Sequence, residues 1–135
     1  MSENLETVKS FYYFFNNKSF KALRASLDEN IVWTSYKDGS IANKFIGIRE
    51  LFQDLFKPFN DEWEYWNINI DDYIDSDSNT IVAIGVCSGK LKVFENSAST
   101  KFVHVFTIDN NLITKIDNYD NIKMFYKVFN EFRKD

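Results

Sequence analysis

Cysteine, histidine and proline each occur once in this chain, and glycine occurs four times. A lone Cys87 excludes an intrachain disulfide. With one Cys and one His there are too few soft ligands for a zinc site within one chain, so no metal is expected. Nothing cationic adjoins Cys87 in sequence, and it reads as a small buried hydrophobe. No apolar run approaches the roughly 20 residues of a bilayer span, so no membrane partner is expected. The residues before Leu5 are polar and acidic, unlike a signal peptide. Basic residues are scattered, and the net charge is -4 with a pI near 5.0. Nucleic acid is thereby excluded as a partner, because phosphate binding requires a basic patch. There is no glycine-rich phosphate loop, repeat, linker or low-complexity segment, and no cofactor is implied. The expectation is a cytoplasmic protein of one domain over residues 1–135.

Aromatic residues are abundant: fourteen Phe, seven Tyr and three Trp. That number can fill a core and leave rings over to line a cavity or an interface. Residues 3–16 have helical spacing, with Leu5, Val8, Tyr12 and Phe15 on one stripe, widened by Phe11 and Phe14. Ser19 is placed to cap a second helix that buries Phe20, Leu23 and Leu27 and ends at Asp28-Glu29-Asn30. Ile31 to Tyr36 reads as a strand, and 37–46 as a loop with room for a short strand. Ile48, Leu51, Phe52, Leu55 and Phe56 mark a third helix, which Pro58 is expected to stop.

From Trp63 to Tyr119 the pattern is that of strands. The first, about 63–74, carries Trp66, Ile68 and Ile70 on one face. The aspartates of 71–77 lack a calcium-loop glycine and terminal glutamate, so they read as a solvated turn. The second, 80–94, places Val82, Ile84 and Val86 on one side and Ala83, Gly85, Cys87 and Gly89 on the other. That row of small residues permits close approach of a helix or a ligand. Next, Thr100 to Ile108, the polar turn Asp109-Asn110-Asn111 and Leu112 to Tyr119 form a hairpin. Alternation puts Phe102, His104 and Phe106 on one face and Val103 and Val105 on the other, with Ile113 expected beside the valines. A last helix is expected over 121–133, after a four-strand antiparallel meander.

Four stretches in this order resemble the nuclear-transport-factor-2-like superfamily, in particular its SnoaL-like branch. They are Phe15-Asn16-Asn17-Lys18-Ser19-Phe20, Asp28-Glu29-Asn30-Ile31-Val32-Trp33, Gly47-Ile48-Arg49-Glu50-Leu51-Phe52, and Phe102 to Phe106 with Asn111-Leu112-Ile113 and Asp117-Asn118-Tyr119. The resemblance implies an α+β fold: a cone-shaped, curved antiparallel sheet covered by helices on one face, the cystatin-like roll. It also implies a pocket between helices and sheet, and a homodimer packed through the sheet's other face. The family includes polyketide cyclases, dehydratases, isomerases, epoxide hydrolases and proteins without catalysis.

His104 falls where SnoaL-type cyclases place a histidine and ketosteroid isomerases a protonated carboxylic acid. Asn118 falls at the cyclase acid/base aspartate, where an amide cannot take a proton. Asp117 or Asp120 would substitute only through a shift of the strand end. At the isomerase tyrosine and base positions stand Phe11 and Thr34. The candidate catalytic residues are therefore His104 and Asn118, and the candidate ligand-binding residues are Phe11, Phe15, Trp33, Trp66, Phe102 and Phe106. Two functions follow. One is a binder of a small apolar or aromatic molecule, with lyase or isomerase chemistry on a carbonyl compound at His104. The other is a non-catalytic dimeric domain whose cone is filled by its own rings, Trp33, Trp63 and Trp66 among them.

Overall fold

The structure, a computed structural model, describes residues 2–37, 40–76 and 78–120. The helix expected over 121–133 lies outside the described residues. Helix α1 (Glu3–Asn16) is capped by Ser2, whose Oγ accepts the Leu5 N–H at 3.1 Å. It buries Val8, Phe11, Tyr12 and Phe15. Lys18, at φ 56°, turns the chain into α2 (Phe20–Ala25), whose Ser19 makes no side-chain cap.

Strand β1 (Leu27–Lys37) starts four residues earlier than its β-branched run suggests, so Asp28-Glu29-Asn30 lies within it rather than ending a helix. Its first residues are tethered from outside: Ile113 N–H donates to the Ser26 carbonyl, and Leu27 pairs with Ile113. Segment 37–46 forms a full strand, β2 (Ser40–Ile46), antiparallel to β1. Gly47 then opens α3 (Ile48–Leu51) at φ 89°, where a side chain would be strained, and donates its N–H to the Ile31 carbonyl at 2.7 Å.

Pro58 does not stop the third helix. The chain widens into a π-helical turn (Phe52–Phe56), in which Lys57 N–H bonds the Phe52 carbonyl, and continues as α4 (Lys57–Glu62). The proline lacks an N–H and its ring would crowd the carbonyl four residues back; the wider turn takes up that mismatch.

Four long strands follow: β3 (Trp63–Ser76), β4 (Thr80–Leu91), β5 (Ala98–Asp109) and β6 (Leu112–Asp120). The sheet has six strands in the order β2-β1-β6-β5-β4-β3, with β1 and β6 parallel and every other neighbouring pair antiparallel. It is a meander extended by two strands that add to the far side of β6. The result is a curved, unclosed α+β sheet with its helices on one face. The β5–β6 turn has Asn110 and Asn111 both at positive φ, 51° and 64°, the backbone of a two-residue hairpin that asparagine tolerates.

Irregularities bend the strands. Register shifts lie at Trp63/Tyr65 and Ile70/Asp72 in β3 and at Thr107/Ile108 in β5. The last one moves Ile113. Expected beside Val103 and Val105, it pairs instead with Ile108 in the fully buried core. The outer face is therefore less apolar than simple alternation implies, because Val103 and Val105 oppose Tyr119 and Asp117.

The small-residue row of β4 faces the helix-covered side, and Ala83 is fully buried. A Cβ on Gly85 would lie 2.3 Å from the Asn69 carbonyl oxygen and 3.0 Å from the Phe102 ring. Cys87 packs against the core, as a small hydrophobe does, but is only half-buried. Among the described residues, no helix is long and apolar enough to cross a membrane.

The clash at Gly85 is with the backbone, which cannot rotate away. Gly85→Ala is therefore expected to destabilise the fold by about 1–3 kcal/mol, measured as a lower urea midpoint. An unchanged midpoint would show that the β3–β4 bend relaxes without cost.

Candidate functional site

The eight residues singled out from the sequence converge on the helix-covered side of the sheet. Phe11, Phe15, Trp33, Trp66, Phe102 and Phe106 belong to one buried cluster, and His104 and Asn118 are buried with it, at 6% and 9% exposure. Two strand registers achieve this. Across β5–β6, His104 stands opposite Asn118; across the parallel β1–β6 pair, Asn118 stands opposite Ser35.

His104 is enclosed by rings. Phe102 stacks on it at a centroid distance of 4.0 Å, with Tyr12 at 5.9 Å and nearly parallel. Trp33 and Phe106 meet it edge-on at 5.7 and 6.0 Å. Beyond Trp33 the wall continues through Phe56 and Phe15 to Trp66.

A line of polar groups runs through these rings. Tyr12 Oη lies 2.7 Å from His104 Nδ1. Asn118 Nδ2 donates to Ser35 Oγ at 3.3 Å, and Trp33 Nε1 donates to the same oxygen at 2.9 Å. Burial raises the Tyr12 pKa well above the usual phenol value, with the nearby Tyr73 adding to the effect, so the phenol keeps its proton. Burial lowers the His104 pKa to about 3, while hydrogen bonding with the Asn118 amide works the other way. The imidazole is thus neutral at physiological pH. The phenol O–H, as the stronger donor, donates a hydrogen bond to Nδ1, which assigns the imidazole proton to Nε2.

Tyr12 and Ser35 were missed as site residues, although signals for both exist. Tyr12 lies on the buried stripe of α1, and a buried tyrosine hydroxyl needs a partner, as does a lone histidine in a buried row. Ser35 shares a face with Trp33, two residues before it. Phe11, at the isomerase tyrosine position, is fully buried and packs on Tyr12 and Phe106. Thr34 and Asp117 are register partners, and alternation with Trp33, Ser35 and Asn118 turns them to the other face. Asp117 there pairs with Lys115 at 3.5 Å and does not replace the missing cyclase carboxylate. The side chain of Asp120 lies outside what is described. Among the described residues, no group of three or more His, Cys, Asp or Glu side chains is placed to hold a metal ion.

Chemically, the arrangement is a polar line in an apolar box. A neutral imidazole with so low a pKa is a weak base, and it serves better as a hydrogen-bonding group than as a proton acceptor.

Comparison with known proteins agrees with this architecture. The family model of the SnoaL-like domain matches residues 8–116. Among functionally curated proteins there is no match. Several solved structures share the fold. An NTF2-like protein of unknown function from Burkholderia pseudomallei superposes with a TM-score of 0.81 at 22% identity, covering 94% of this chain and 97% of that one. TerC, co-crystallised with polyporic acid, gives a TM-score of 0.79 at 13% identity, with 93% and 97% covered. A phenazine biosynthesis-related protein from Pseudomonas aeruginosa gives 0.77 at 16% identity, with 93% and 83% covered. At these identities the likeness shows the fold alone.

The His104 pKa has a consequence for stability. The unfolded chain takes up a proton near pH 6.5 and the folded one only near 3, so stability is full above 6.5 and falls as the pH drops between them. From pH 6.5 to 5, wild type should lose roughly 1–2 kcal/mol more than His104→Phe, which has no such proton. The variant carries a constant penalty from the Tyr12 hydroxyl left without its acceptor. Parallel pH profiles of the two proteins in urea unfolding would contradict a depressed His104 pKa.

Proposed function

From membership of the SnoaL-like family, to which this chain belongs, we propose that the aromatic box binds a small apolar or aromatic carbonyl compound, with His104 and Asn118 as its polar wall. The observation that supports this reading most directly is the Tyr12–His104 hydrogen bond inside a ring-lined core. It places a neutral imidazole and its partner in the middle of the ring-lined core. Stabilising an enolate by hydrogen bonding is the chemistry such a wall supports. Proton abstraction is not, because the cyclase carboxylate is an amide here and His104 is a weak base. We therefore propose binding with weak or no turnover.

The test uses 1-tetralone, an enolisable aromatic ketone. Binding is followed by calorimetry, and enolisation by deuterium uptake at the α-carbon. His104→Ala should weaken binding by about tenfold or more. Asn118→Asp supplies a carboxylate beside the imidazole and should speed α-exchange by at least about tenfold. If His104→Ala binds and exchanges as well as wild type, the assignment of the site is wrong.

One observation favours a second reading. Four rings already contact the imidazole of His104, between 4.0 and 6.0 Å. A cone filled by its own side chains would make this a non-catalytic domain, and no aromatic ketone would bind.

We also propose a two-fold dimer through the outer face of the sheet, as the family resemblance implies. Val82, Ile84 and Val86 of β4 and Val103 and Val105 of β5 are only half-buried there. Tyr36 and Tyr119 stack beside them at 4.6 Å, with Tyr119 44% exposed. Such a patch is typical of an interface. Sedimentation equilibrium should give twice the 16.0 kDa chain mass. A monomer at micromolar concentration would count decisively against the dimer.

A further inference from the structure

The indole of Trp66 has no part in the polar line, yet its Nε1 is buried and has no hydrogen-bond partner among the described residues. Buried indole N–H groups usually find an acceptor, and one without any is costly to keep. Trp66 is 7% exposed and shares the helix-covered face of β3 with Ile68. Its ring packs against Phe15 at 4.6 Å and Phe59 at 5.4 Å. Those two rings offer no acceptor; Lys18 Nζ, 5.9 Å over the indole, can only donate, and Asn60 Oδ1, one residue after Phe59, is likewise buried with no partner among the described residues.

The position of this indole is closely set. Across the strand pair, Trp66 opposes Gly89, where a Cβ would lie 2.9 Å from the Trp66 Cα and 2.8 Å from the Trp63 ring. Two residues on, the Asn16 amide clamps the β3 backbone: its Nδ2 donates to the Ile68 carbonyl, and its Oδ1 accepts the Ile68 N–H, both at 2.8 Å. Helix α1 thus holds this part of β3, while Tyr12, one turn earlier on the same helix, holds His104.

We propose that Trp66 is a second polar anchor of the ligand site, whose indole N–H donates to an acceptor oxygen of the ligand. This rests on the ligand-binding reading above and narrows it. The ring path from His104 through Trp33, Phe56 and Phe15 to Trp66 separates the two anchors. The ligand class is therefore an aromatic molecule with two oxygen acceptors set apart across its apolar body. One meets the His104 wall and the other meets Trp66.

Three probes of one shape test this: 1,4-diacetylbenzene, 4-ethylacetophenone and 1,4-diethylbenzene, which carry two, one and no carbonyl groups. Wild type should bind them in that order. Trp66→Phe should weaken 1,4-diacetylbenzene by about tenfold, to the level of 4-ethylacetophenone, and leave 1,4-diethylbenzene unchanged. In the unaltered protein, the Trp66 indole N–H resonance should move downfield with 1,4-diacetylbenzene and stay in place with 1,4-diethylbenzene. The proposal is overturned if Trp66→Phe leaves the gap between the two ketones intact. It is also overturned if the resonance does not move, or if all three probes bind wild type equally; the cone then binds ligands without this anchor. If none of the three binds wild type, the ligand-binding reading fails and the anchor fails with it.

Discussion

The hydrogen bond between Tyr12 and His104 connects the two layers of this protein. It joins the middle of α1 to the middle of β5 in surroundings made almost wholly of carbon. In such surroundings neither partner is free to ionise or to turn away. Burial keeps the phenol protonated and the imidazole neutral, and each then satisfies the other. The pair fixes the height and rotation of α1 over the sheet. With them it sets the positions of Phe11 and Phe15, which neighbour Tyr12 on the helix.

A second tie works at the helix end. Asn16 occupies both backbone groups of Ile68 on β3, the outermost strand at that side of the sheet. An amide side chain placed in this way stands in for a neighbouring strand. It satisfies polar groups that would otherwise be exposed at a sheet edge. Between the two ties, α1 spans from β5 to β3 and closes one side of the cone. Within the sheet, Gly85 leaves room for Phe102 of β5, and Gly89 for Trp63 and the backbone of Trp66 of β3.

This geometry leaves the imidazole of His104 among uncharged partners. Carboxylates are plentiful in the sequence, but the described ones are not beside His104. Asp117 is one residue from Asn118 and faces the other way because a strand alternates. A polar wall made only of neutral groups can orient a carbonyl and stabilise a developing oxyanion. The SnoaL-like domain here encloses a buried polar line made of hydrogen bonds between uncharged groups.

The sequence by itself determined the elements with strong periodicity and the face each one buries. The α1 stripe, the alternation around His104 and the asparagine turn depend only on neighbours within a few residues, and local geometry is enough to settle them. The aromatic candidates were legible for the same reason: a large ring on the apolar face of its element has nowhere to go but the core. Other features depended on contacts between distant segments. The start of β1 at Leu27 required β6 to pair with it, and β2 required β1. The passage of the third helix through Pro58 required a wider turn that no propensity signals. A one-residue bulge placed Ile113 in the core against simple alternation. The partner of His104 was decided the same way. Tyr12 lies 92 residues away, and Ser35 reaches Asn118 only because β1 and β6 run parallel in one register. A hydrogen bond between distant residues has no period, so only the packed chain brings its two ends together.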